Sequence, residues 1–288
     1  METVGFVGIG KIGLPICENL IKSGYRVLGY RRGSLAELEK IGGVAARSPA
    51  EIGAQVEIVF SCLPSSQALD EVVQGANGLI QSARSGQIII ELGSHPVPDK
   101  ERHVAPLAAK GARFLDGEVS GTPGMVSARK AVIYLAGDKD ACAKAERYVQ
   151  GFADSCLYFG PFCAASRVKL VNNLLVAIHI AATAEAMALG LKAGVDVELM
   201  IKAIAGGSGG STQFGIRAPW MAERRFLPQQ GSSAGLAHYL DTAKDLAADA
   251  GIATDLLDCV IDIFARAVPA IGERDVAAII EFFETKRT

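Results

Sequence analysis

Aromatic residues make up only 6% of this 288-residue chain, and neither sign of charge dominates: 29 lysines and arginines face 31 aspartates and glutamates, for a net charge of −2. That balance provides no basic stripe for a nucleic acid and no acidic tail. A leader would show a charged segment, an apolar stretch and a cleavage site; residues 2–7 instead read at once as a strand, so no secretory signal is expected. The six cysteines (Cys17, Cys62, Cys142, Cys156, Cys163 and Cys259) include no CxxC pair, and none lies near a histidine at zinc spacing. Reduced, mostly buried thiols in a cytoplasmic protein without a metal site are expected. The most apolar long stretch, residues 170–191, carries Asn172, Asn173, His179, Thr183 and Glu185. A membrane span rarely bears that polar load, so a buried helix is expected there and no membrane partner. Internal repeats and low-complexity tails are also missing.

What is present is aliphatic: half the residues are apolar, enough for a sizeable core, and 32 glycines suit tight turns and closely packed helices. Over the first ~160 residues short apolar runs at 4–7, 27–29, 58–62, 88–90, 114–115, 132–135 and 157–159 alternate with helix-start chemistry, as in an α/β fold with a parallel sheet. Ser34 with Glu37 forms a capping-box pattern, Ser48-Pro49-Ala50-Glu51 offers an N-cap with proline in the first turn, and Asp138 precedes a helix. After Gly160-Pro161 strand runs stop. One long helix is expected over 166–192, ended by Gly194, and further helices near 197–205, 234–250, 254–267 and 274–284. The boundary is placed at 163/164: residues 1–163 as a dinucleotide-binding domain, and 164–288 as a long connecting helix with an all-helical domain. The glycine-serine run 206–211 reads equally as a linker or as backbone approaching a ligand.

The strongest local signal is Gly8-Ile9-Gly10-Lys11-Ile12-Gly13, following a strand and opening a helical pattern. One glycine permits the tight turn, the next lets backbone approach a pyrophosphate, and the third brings helix and strand together; the helix N-terminus supplies amide donors. At the end of the second strand an acid would bind the ribose hydroxyl of NAD, but Tyr30-Arg31-Arg32 stands there. Two guanidinium groups suit a 2′-phosphate, so NADP (NADPH) is the expected cofactor. The bland reading is a solvated arginine pair.

Lys169 is followed by Asn172 and Asn173, three and four residues on, hence near its helix face. Alone, these three residues read first as a lysine snorkelling to water and two asparagines bonding backbone. In order along the chain, however, the fingerprint within GFVGIGKIGLPICENL, the segment DGEVSG, the run KLVNN and Lys244-Asp245-Leu246 resemble the β-hydroxyacid dehydrogenase family. That family includes 3-hydroxyisobutyrate dehydrogenases and tartronate semialdehyde reductases, and the likeness spans nearly the whole chain.

The resemblance implies a Rossmann-like N-terminal domain with a parallel-rich sheet, a long interdomain helix and an all-α C-terminal domain. It implies Lys169 as the catalytic lysine, Ser120 and Gly121 as a clamp for a small-molecule carboxylate substrate, and Asn173 as an orienting residue. It also implies Lys244 near cofactor and substrate, Leu63-Pro64 beside the cofactor, Ser94 near the nicotinamide, and a homodimer or homotetramer. A lysine can serve as general acid/base if its environment lowers its pKa. Departures flank the site: the family's Asp-Ala-Pro-Val-Ser-Gly-Gly reads Asp116-Gly117-Glu118-Val119-Ser120-Gly121-Thr122, and its acidic-x-Ser-Thr stretch reads Glu91-Leu92-Gly93-Ser94-His95. Glu118 is expected as a surface acid, with recognition of a substrate amine as the other reading. His95 follows the cofactor loop, whereas His103, His179 and His238 carry no site signal. Rival assignments are an imine reductase on the same scaffold, a non-catalytic NADP-binding module, and a structural protein with an incidental glycine loop.

Overall fold

The computed structural model describes residues 1–285 and divides into two compact units, Met1–Lys169 and Leu170–Thr288. In the first unit the order is β1 (Thr3–Val7), α1 (Gly13–Lys22), β2 (Arg26–Tyr30), α2 (Ala36–Lys40), β3 (Val44–Ala45), α3 (Pro49–Gln55), β4 (Ile58–Ser61) and α4 (Ser66–Gln74). It continues through β5 (Ile88–Glu91), α5 (Val97–Glu101), α6 (Val104–Ala109), β6 (Arg113–Ser120), α7 (Pro123–Ser127), β7 (Val132–Ala136), α8 (Lys139–Val149) and β8 (Ser155–Tyr158). The eight strands form one sheet in the order β3-β2-β1-β4-β5-β6-β7-β8. All neighbours are parallel except β6 and β7.

The central strands β4 and β5 are buried at every position, which explains their unbroken apolar runs. The chain leaves β1 towards β2 on one side and returns to β4 on the other. The order therefore reverses between β1 and β4, where open α/β sheets place their ligand crevice, beyond the C-terminal strand ends. Ser48 caps α3 by accepting from Glu51 N, with Pro49 in the first turn, and Asp138 caps α8 by accepting from Ala141 N. The Ser34–Glu37 capping box does not form. The helix begins at Ala36, and Ser34 Oγ accepts from the Ala36 amide 3.2 Å away, an ST-turn that competes with the cap.

The 29-residue α9 (Ala164–Lys192) crosses the boundary between units. By length and composition it is long enough and apolar enough to span a membrane. In the second unit its buried residues, among them Ala177, Ile180, Ala184 and Met187, belong to a core shared with α11 (Thr212–Ala222), α12 (Ser233–Ala250) and α13 (Asp255–Ile271). Between α9 and α11 lies α10 (Val197–Ala205), and α14 (Ile280–Glu284) ends the described chain.

One expectation needs correction, and one helix was not expected. Residues 274–284 are not one helix: a 3-10 turn, Val276–Ile279, precedes α14 and is capped by Asp275. Helix α11 had no sequence expectation, because Gly215 and Pro219 dilute its pattern. Arg217 of α11 ion-pairs with Asp275 at 2.7 Å, both buried, and Asp275 also accepts from the Gln230 and Gly231 amides. That cluster pins the segment after α11 to the 3-10 turn.

Candidate active site

The crevice at the β1/β4 switch is a cavity of about 590 Å³, lined by the whole glycine turn from Gly8 to Gly13, by Arg31 and Arg32 after β2, and by Leu63 and Pro64 after β4. Tyr30 and Cys62 also line it, as do Glu71, Ala76 and Asn77, which sequence reasoning did not single out. The three glycines have separable roles. A Cβ on Gly8, which has φ +93°, would lie 2.2 Å from the Cys62 carbonyl oxygen, and one on Gly13 would lie 2.3 Å from Gly8 O. A Cβ on Gly10 would meet nothing within 4 Å. Gly8 and Gly13 thus close the strand–turn–helix packing, and Gly10 faces open space where a ligand can approach backbone.

No side chain caps the N-terminus of α1, and its first turn carries no acid. The positive end of the helix dipole is left for an anion from elsewhere. These features fit a dinucleotide pyrophosphate. The arginines are held loosely: Arg31 lies 3.8 Å from Glu37, and Arg32 lies 3.5 Å from Glu71, which shares the cavity wall. Such exposed pairs are weak and leave both guanidinium groups available.

Further along the same strand ends the material changes from backbone to buried charge. Glu91, at the end of β5, is fully buried and accepts from Ser61 Oγ, from Leu63 N at 3.3 Å and from Gly93 N at 2.7 Å, with His95 Nε2 3.3 Å away. Burial pushes its carboxyl up. The hydrogen bond and charge of His95, then Lys100 and Ser61, outweigh that and hold it below the ordinary value. Glu91 therefore ties the cofactor-side loop at Leu63 to the loop after β5. His95 is part of this tie, buried beneath it.

Strand β6 runs past its parallel partner: Glu91 pairs with Asp116, and the next four residues continue against β7 alone. Strand alternation puts Asp116 and Glu118 on one face. Between them Lys100 of α5, with no exposure at all, donates to Asp116 Oδ1 at 2.9 Å, Gly117 O at 3.1 Å and Glu118 Oε1 at 3.1 Å. Those three acceptors satisfy its three protons. Ser166 at the start of α9 donates from its amide and its hydroxyl to Asp116, and its Oγ lies 3.3 Å from Glu118. Glu118 is therefore no surface acid: it is 1% exposed, and each of its oxygens already has a partner within the protein, Lys100 on one and Ser94 on the other. Ser94, which the family resemblance places near the nicotinamide, donates its hydroxyl to Glu118 and does not line the cavity.

Lys169 lies one helical turn beyond Ser166. Its half-buried amine donates to Val119 O at 2.7 Å, at the end of β6 beside Ser120 and Gly121. Burial lowers its pKa from the ordinary lysine value, and the charge of Glu118 works against that shift. Ser120 and Gly121 are half-buried, and Thr122 caps α7 by accepting from Met125 N, which accounts for threonine at that position. In the second unit Asn173, on α9, is 6% exposed; its Oδ1 accepts from Asn172 at 3.4 Å while its Nδ2 has no hydrogen-bond partner. A buried orphan donor costs about 1–3 kcal/mol and marks a place where a ligand acceptor would be welcome. Lys244 on α12 is paired with Asp258 and donates to Thr254 Oγ1 at 2.7 Å. The glycine-serine run 206–211 is the turn between α10 and α11, with Ser211 capping α11. Among the described residues no group of three or more His, Cys, Asp or Glu could hold a metal ion, and all six cysteines are free.

A mostly parallel sheet whose glycine turn opens into an uncapped helix at the switch point defines a dinucleotide-binding fold, here followed by a helical unit. Residues 3–160 match the family described as the NAD binding domain of 6-phosphogluconate dehydrogenase, and residues 163–283 match the family described as NAD-binding of NADP-dependent 3-hydroxyisobutyrate dehydrogenase. The chain belongs to the 3-hydroxyisobutyrate dehydrogenase family of NAD(P)-dependent β-hydroxyacid dehydrogenases. It is 31% identical to an L-threonate dehydrogenase of Cupriavidus necator over 79% of this chain and 77% of that protein. It is 33% identical to the mitochondrial 3-hydroxyisobutyrate dehydrogenase of Mus musculus over 72% of this chain and 62% of that protein. Among solved structures, the 3-hydroxyisobutyrate dehydrogenase of Salmonella typhimurium superposes with a TM-score of 0.87 at 23% identity, covering 98% of this chain and all of that one. An imine reductase from Myxococcus stipitatus gives 0.66 at 17% identity, over 98% and 99% of the two chains. At those identities both establish a shared fold.

Proposed function

We propose that this chain is an NADP-dependent oxidoreductase acting on a small β-hydroxy acid or its semialdehyde, with Lys169 as general acid/base. The observation that carries this reading is the desolvated Lys169 amine, held at 2.7 Å on Val119 O beside Ser120 and Gly121. When bound, the nicotinamide supplies the hydride donor or acceptor; the residues of the chain handle binding and the proton. The glycine turn and the α1 N-terminus hold the pyrophosphate, and Arg31 and Arg32 take a 2′-phosphate with charge-assisted hydrogen bonds. Ser120 and the Gly121 amide hold the substrate carboxylate. Lys169 gives a proton to, or takes one from, the oxygen that changes between alcohol and carbonyl.

We place the protein in the cytoplasm as a homodimer or homotetramer without nucleic-acid or membrane partners. The near-zero net charge supports the absence of a nucleic-acid partner, and the exposed apolar Val171, Leu175, Leu189 and Leu199 on the helical unit support oligomerisation.

Lys169→Ala should lower turnover by about 10²–10⁴-fold while NADPH still binds in a fluorescence titration; near-normal turnover rejects the acid/base role. Substituting Arg31 and Arg32 with serine should weaken NADPH by at least about tenfold, one lost charge-assisted contact, and leave NADH unchanged. Equal losses reject the phosphate role. A substrate panel of semialdehydes, hydroxy acids and cyclic imines completes the test. Turnover confined to imines would make the protein an imine reductase on this scaffold, and NADPH binding with no turnover would make it a binding module.

A further inference from the structure

Lys100, Asp116 and Glu118 have essentially no exposure, and one ammonium against two carboxylates leaves one negative charge over. A buried excess charge is costly, so it needs a further cation or a proton. The next cation is Lys169. Its amine is hydrogen-bonded to the carbonyl of Val119, the residue after Glu118, and Ser166, one turn back on the same helix, lies 3.3 Å from the Glu118 carboxylate. The other groups facing Glu118 are Ser94 after β5, Asp116 on its own strand and Tyr134 directly across on β7. The thiol of Cys62 feels the same field: burial first, then the charges of Glu91 and Glu118, push it up to about 12. Glu91 is occupied by its own tie to His95 and Ser61.

We propose that Glu118 is a positioning residue for the reaction, its carboxylate locked by Lys100 and Ser94 as the counter-charge against which the Lys169 amine gains a proton and its ammonium form loses it. The proposal rests on the reading of Lys169 as acid/base. Two observations agree with it. Burial raises the Glu118 carboxyl against the pull of Lys100 and Lys169, and burial lowers the Lys169 amine against the pull of Glu118, so the two titrations approach one another. The glutamate stands where the family pattern has proline, which carries no charge, so this chain holds its lysine proton more tightly than a proline-bearing site would.

The test is the titration of Lys169 in the full-length protein, read by pH-dependent acetic anhydride labelling and mass spectrometry of its peptide. In Glu118→Gln the labelling midpoint should fall by about one pH unit, the lower end for loss of a close opposite charge, and the matching limb of the kcat/KM profile should move equally. NADPH affinity should not change. Coupling is reciprocal, so Lys169→Met should raise the Glu118 carboxyl midpoint, read by carbon-13 NMR, by a similar amount. That variant carries the test if Glu118→Gln does not fold. A Lys169 midpoint within about 0.3 units of wild type in Glu118→Gln, or an unmoved Glu118 in Lys169→Met, overturns the proposal. The two readings fail separately: coupling with undiminished turnover in Lys169→Met removes the acid/base role alone, and lost turnover without coupling removes this inference alone.

Discussion

The end of β1 and the end of β6 lie on the same edge of one sheet, yet they are built from different material. At β1 the work is done by backbone: a glycine turn, an uncapped helix and two exposed arginines around a cavity of about 590 Å³. At β6 it is done by side chains: Lys100, Asp116, Glu118 and Ser166, all but sealed from solvent, with Lys169 beside them. A site built on backbone keeps its fold through a change that leaves the path of the chain alone, even where the change costs ligand affinity. A buried charge cluster tolerates almost none, because each removed partner strands another charge.

The contrast is broken hardest at Lys100. Replacing it with methionine keeps the volume but leaves Asp116 and Glu118 facing each other, and should cost about 3–5 kcal/mol in urea unfolding. A loss under 1 kcal/mol would mean the cluster is not sealed. The glycine turn sharpens the contrast from the other side. Gly13→Ala puts a methyl 2.3 Å from Gly8 O and should destabilise by about 1–3 kcal/mol, whereas Gly10→Ala enters open space and should keep its thermal midpoint while losing NADPH affinity. Equal destabilisation by both would erase the division of roles.

The smallest effect concerns pH. Glu91 has a folded pKa below its unfolded one, so its contribution is fully present above the unfolded carboxylate value and is lost as pH falls through the folded value. Acid unfolding of Glu91→Gln should therefore show a shallower loss of stability below about pH 4.5, near the unfolded glutamate pKa. An acid limb as steep as wild type would show that the tie to Leu63 and His95 adds nothing.

Legibility in the sequence followed the range of the interaction. The caps at Ser48 and Asp138, and the glycine turn, are decided within a few residues, so their chemistry is visible in the string. The exception at Ser34 is equally local: a hydroxyl that can bond two residues on or three chose the shorter bond. Strand β3 has two residues, too few for any period to register. Lys100 resembles a solvent-facing lysine on a short helix because its partners lie 16 and 18 residues away on another strand. Glu118 was misjudged for the same reason, and so was the helix expected over 274–284, whose start is held by an arginine 58 residues before Asp275.

By itself the sequence determined the alternation of strand and helix, the glycine turn with its arginine pair, and the order of motifs that marks the family, because periodicity, turn sterics and capping act between near neighbours. Only the tertiary structure decided that three carboxylates and a lysine are buried at the sheet edge, that Ser94 serves Glu118, and that Lys169 rests on Val119. Burial and pairing depend on which strand lies next to which, and that is settled only when the sheet has assembled and water has left its edge.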